Sequence, residues 1–183
     1  MPFSLFEAIS EIHEAFRKRD INRLRKASNK CAASTAVDEN RQMLSLALTS
    51  YALSKILEKT HYVDYKKKDE FTRVVSDKLR ACVSLAKEGK TSEFDATLND
   101  VRALMESLDE RKKRYARNLF DKARLKVAST LYAQGFSLSR AVEFTGADKR
   151  DLVGYVGKTL MFDRAGKTKT MVARLKDVRK IFD

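Results

Sequence analysis

Helix breakers are scarce in this chain: across 183 residues there are one proline, Pro2, and six glycines. Most segments therefore contain nothing that forces a helix to stop. Apolar residues recur at spacings of three and four along almost all of them, which predicts an all-α fold. No apolar run reaches the ~18 residues of a membrane span, so no membrane partner is expected. The start, MPFSLFEAISEIHE, lacks a basic leader and is interrupted by Glu7, Glu11 and Glu14. That pattern argues against a signal peptide and makes the cytoplasm the expected location.

Residues that carry chemistry are equally sparse. Cys31 and Cys82 are the only cysteines, and each stands in a helical apolar pattern, as reduced core thiols do. His13 and His61 are far apart and suit helix faces or caps. None of the four has a partner at metal-ligand spacing, so no metal or cofactor is expected. The tripeptide GKT at 157–159 and 166–168 imitates the end of a phosphate loop. The required first glycine is replaced by Leu152 in one match and Met161 in the other, and both fail. Asp148, Asp151 and Asp163 form no carboxylate set. Nothing here points to an enzyme.

What the chain does have is charge, unevenly placed. Residues 1–110 carry 19 Lys+Arg and 18 Asp+Glu, a net of +1, whereas residues 111–183 carry 19 and 7, a net of +12. A split of this kind is the footprint of a polyanion-binding region. The even half reads as five helices. The first, Phe3 to Arg19, sets Phe6, Ile9, Ile12, His13 and Phe16 on one face. The second is capped by Asp20, and the third, capped by Asp38, has an apolar stripe wide enough for a central helix. The segment HYVDYKKKD then serves as a connection whose Lys66, Lys67 and Lys68 suit a solvated loop. The fourth helix runs from Asp69 to Lys87 and is closed by Gly89; Ser92 caps the fifth. This describes an amino-terminal antiparallel bundle over 1–110, a surface for dimerisation or a protein partner.

No flexible linker separates the halves. A helix-compatible run from Asp109 to Gln134 joins the bundle to the basic module, 111–183. Within it, Gly135 ends one helix, Ser137 caps the two-turn LSRAVEFT, Gly146 makes a turn, and Asp148 caps KRDLVGYVGKTLM. Leu138, Ala141, Val142, Leu152 and Val156 are spaced to pack these two helices together. A last amphipathic helix, capped by Thr168 or Thr170, carries Met171, Val172, Leu175, Val178 and Ile181.

The stretch 131–160 resembles the helix-turn-helix of bacterial and archaeal transcription regulators and recombinases. Tyr132 to Phe136, Ala141-Val142, Gly146, Asp148, Leu152 and Tyr155-Val156 fill that pattern. It departs at Thr145, where an aliphatic residue is commoner, at Ala147, where Val or Ile packs, and at Gly154, inside the second helix. The resemblance implies that the helix at 149–160 enters the major groove, with Lys149, Arg150 and Val153 at base edges. Ser137, Ser139, Arg140 and Lys158 then meet phosphates, and Arg164, Lys167 and Lys169 extend the nucleic-acid-binding set. The expected function is a DNA-binding transcriptional regulator or chromatin-associated protein, DNA being favoured over RNA. The alternative is a helical adaptor for structured RNA or an acidic protein.

Overall fold

The computed structural model describes residues 3–58, 65–107 and 113–159. The described residues form eight helices and no strand, an all-α fold: α1 (Leu5–Arg17), α2 (Ile21–Asp38), α3 (Arg41–Glu58), α4 (Tyr65–Glu88), α5 (Thr91–Ser107), α6 (Lys113–Ala133), α7 (Leu138–Thr145) and α8 (Lys149–Thr159). None of them is long and apolar enough to cross a membrane.

Local chemistry sets the helix starts. Ser4 and Glu7 form a reciprocal capping box: the Glu7 amide donates to Ser4 Oγ (3.2 Å) and the Ser4 amide to Glu7 Oε2 (2.9 Å). The Glu7 carboxyl is held below its ordinary pKa by the Ser4 amide and then the Ser4 hydroxyl, both of which donate to it. Asp20 caps α2 through the Arg23 amide (2.9 Å). Asp38 does not cap α3, contrary to expectation. It is the last residue of α2, Glu39 stops that helix in the left-handed region at φ 49°, and Asn40 Oδ1 accepts from the Gln42 and Met43 amides at 2.8 and 3.1 Å. Two further expectations are corrected. Helix α4 begins at Tyr65, so Lys66, Lys67 and Lys68 lie in its first turn and not in a loop; no breaker stands there, and Lys is a good helix former. Helix α5 begins at Thr91, so Ser92 is inside it; Gly89, left-handed at φ 72°, turns the chain so tightly that the Thr91 amide donates back to Gly89 O.

Helix α3 is the central one, touching α1, α2, α5 and α6. It is buried nearly all round, with Thr49, Ser50 and Ser54 at zero exposure beside Leu46, Ala47, Ala52 and Leu53. Its contact with α2 is built from small residues. Ser28 Oγ donates across the interface to Ala47 O (2.7 Å), and Ser50 Oγ returns the bond to Leu24 O (2.8 Å). A hydroxyl reaches a facing helix carbonyl only when the two backbones are close, which Ala27, Cys31, Ala32 and Ala47 allow. The hydroxyls of Ser28 and Ser50 are thereby satisfied, as burial requires, whereas Thr49 Oγ1 is buried with no hydrogen-bond partner among the described residues.

Around this pair, α1 packs on α2 and α4, and α4 on α5. Phe16, Ile9 and Ile12 fill the α1 face as expected, but Phe6 does not: it remains 40% exposed. Helix α6 lies against α2 and α3 and carries α7 and α8 on its other contacts. The buried apolar residues form one cluster from Ala8 to Val156. The long helix is thus a wall of the core, and α7 and α8 are packed onto it. Both cysteines are free and buried, and burial pushes each thiol up to about 12.

Candidate nucleic-acid interface

The candidate surface is made by α7, α8 and the three residues between them. Ser137 Oγ accepts from the Arg140 amide (3.1 Å) and starts α7. Gly146 ends it in the left-handed region, φ 68°, with its amide donating to Val142 O (2.8 Å). An L side chain there is strained, so glycine is the residue that this turn requires. Asp148 Oδ1 then accepts from the Arg150 and Asp151 amides at 2.8 and 2.9 Å, and starts α8.

Thr145 explains one departure from the aliphatic pattern. It is 5% exposed, and its hydroxyl donates to Ala141 O (2.7 Å) while accepting from the Ala147 amide (3.3 Å). A threonine therefore closes the turn from within, satisfying an amide that an aliphatic side chain leaves bare. Ala141, Ala147, Leu152 and Val156 are buried beneath the turn, with Leu138 and Val142 packed beside them. Phe136 and Phe144 meet edge to face, 6.1 Å between centroids. Tyr155 is half-buried; burial raises its phenol, and Tyr51 and Lys55 of α3 are near enough to act on it.

The expected contact residues fall into three groups. Lys149, Arg150 and Val153 are exposed on α8, Val153 at 53%, and neither cation forms an ion pair with another described residue. Ser137 and Ser139 are exposed at the start of α7. Arg140 is different. Its guanidinium meets Glu39 at 2.7 Å and Glu143 at 3.2 Å, lies over the Phe144 ring at 5.7 Å, and is held more firmly protonated by both carboxylates. It fastens α7 to the α2–α3 corner, a pairing across 101 residues that no sequence spacing announces. Lys158 belongs to α8, but its side chain lies outside the described residues, as do Arg164, Lys167, Lys169, His61 and the whole expected last helix.

One basic residue near the site had no sequence signal. Arg124 of α6 places Nε 4.0 Å from where a Cβ on Gly146 would stand, and its Asp121 partner is a loose 3.5 Å away. Among the described residues the outward side of α8 is uncovered at its glycines: a Cβ at Gly154 or Gly157 meets nothing within 4 Å. Among the described residues, no group of three or more His, Cys, Asp or Glu gathers to hold a metal. Comparison with protein-family models, with curated proteins and with solved structures returned no match.

Proposed function

We propose that this chain binds nucleic acid, duplex DNA in preference to RNA, through a helix-turn-helix made of α7 and α8, as a transcriptional regulator or chromatin-associated protein. One observation carries the reading: α8 is anchored by Leu152 and Val156 while Lys149, Arg150 and Val153 stand exposed and unpaired among the described residues. A helix held on one side and cationic on the other suits a major groove. The surrounding sequence supplies the long-range attraction, since residues 113–159 carry 10 Lys+Arg and 4 Asp+Glu. Lys149 and Arg150 read base edges, and Ser137 and Ser139 position phosphates. The bundle built on α2 and α3 serves dimerisation or a protein partner.

The test is a salt titration of the full chain on duplex DNA and on structured RNA, repeated with Lys149 and Arg150 both changed to Ala. The expected result is tighter binding to duplex DNA, preference for one sequence, and loss of that preference in the double variant. Affinity should fall with salt at a log–log slope of about −0.9 per phosphate contacted. Equal binding to every polyanion reduces the surface to a general basic patch, and no binding refutes the proposal.

A second reading has one observation in its favour. Arg140, placed for a phosphate, is already engaged by two carboxylates. A helical adaptor, contacting structured RNA or an acidic protein by α8 alone, needs no phosphate contact from α7. Preference for the RNA in the same titration selects it.

A further inference from the structure

We infer that Val153 is a base-reading contact of α8 beside Lys149 and Arg150, and that it reads the 5-methyl group of thymine. The inference rests on the nucleic-acid reading above and deepens it, because it commits the surface to B-form duplex DNA.

Val153 is 53% exposed, and among the described residues the other exposed large apolar side chains, Phe6 and Val37, stand on α1 and α2. It follows Arg150 by three positions and Lys149 by four, so all three share the outward side of α8. Leu152 and Val156, one position before it and three after, face inward. A β-branched residue is a poor choice for a solvated helix position, and the glycine beside it is worse. Among the described residues, neither Gly154 nor Gly157 is demanded by packing, since an added Cβ at each meets nothing within 4 Å. Three outward positions of an 11-residue helix therefore disfavour the helix they belong to. Local choices that conflict with local stability, with no compensation among the described residues, are expected where an external surface is read.

The occupant must be anionic, to meet Lys149 and Arg150, and must offer an apolar group between them and bare helix backbone. In a B-DNA major groove the thymine methyl is that group, standing among polar base edges and flanked by phosphates. Structured RNA lacks it twice over: uracil has no methyl, and the A-form major groove is too narrow for a helix. The Gly154 and Gly157 positions leave α8 slim on the side that faces the groove wall. Asp151, the exposed acid of the first turn, lies two positions from Val153 and so on another side of the helix.

The experiment uses the full chain. A preferred duplex is selected from random sequences, and each thymine in it is then replaced singly by uracil, with affinities read by fluorescence anisotropy. The expected result is one position at which loss of the methyl weakens binding about fourfold, the factor for burying one methyl group. At that position Val153→Ala should bind the thymine and uracil duplexes equally. Circular dichroism and thermal melting confirm that the variant is folded, as an exposed valine should allow. If no thymine matters, or if Val153→Ala discriminates as the natural chain does, the inference is overturned while the nucleic-acid reading stands. Equal or tighter binding to an RNA duplex, or to poly-glutamate, also overturns it. Failure to bind any duplex removes the underlying reading itself.

Discussion

Thr145→Val separates two accounts of the turn by the sign of its effect. The aliphatic pattern at this position implies that valine, nearly the same shape, stabilises by replacing a hydroxyl with a methyl in a site only 5% exposed. That gain is about 0.8 kcal/mol. The geometry implies the opposite. The hydroxyl is the acceptor for the Ala147 amide, in a residue 7% exposed, and removing it leaves a buried N–H with no partner. That costs about 1–3 kcal/mol. The second bond, to Ala141 O, matters less because a carbonyl at the end of a helix has other partners for its lone pairs. The balance is a destabilisation of roughly 0.2–2.2 kcal/mol. Urea unfolding followed by circular dichroism measures it, and hydrogen exchange at the Ala147 amide locates it. Thr145→Ser keeps the bridge and should keep that amide protected, although it loses the methyl. The account of the turn is refuted if Thr145→Val is as stable as the natural chain with Ala147 still protected.

Other outcomes follow from the same geometry. Gly154→Ala should raise stability by about 1 kcal/mol, because the new Cβ meets nothing within 4 Å. The same variant should bind the selected duplex more weakly, which pairs a melting experiment with an anisotropy titration. Arg140→Ala should leave thermal stability nearly unchanged, since both the guanidinium and its carboxylate partners are solvent-exposed. If Arg140 acts only as a fastener, the salt slope of DNA binding should be unchanged by that substitution; a shallower slope would assign it a phosphate. His13 is held below its ordinary value of 6.5, first by burial and then by Arg17 and Arg80. Protonation therefore favours the unfolded chain, so stability should be full above 6.5 and should decline as pH falls below it. His13→Gln should flatten that part of the pH–stability curve, and an unchanged curve would count against a role for this histidine.

The turn was legible in the sequence because each of its parts acts on its own neighbourhood. A serine three residues before the amide it caps, a glycine where a helix reverses hand, and an aspartate before KRDL are all local instructions. The same locality explains some errors. Asp38 and Asn40 are both good caps two residues apart, and only the left-handed stop at Glu39 decides that Asn40 takes the role. Phe6 fits the apolar period of α1, but it lies at the edge of the face that Ala8, Ile9, Ile12 and Phe16 bury, and stays 40% exposed. The charge and aromatic content at the start of α4 resemble a loop, whereas nothing in Tyr65–Lys68 disfavours a helix.

By itself, the sequence determined the all-α composition, the caps at Ser137 and Asp148, the turn at Gly146 and the concentration of positive charge beyond residue 110. Each depends on backbone preference within one helical turn or on a sum of charges that folding cannot change. Only the tertiary structure decided that Thr145 closes the turn by hydrogen bonding, that Arg140 is engaged by Glu39, and that Lys149, Arg150 and Val153 remain on the open side of α8. Those outcomes depend on which surfaces are covered, and coverage is set by helices far apart in sequence that share one core.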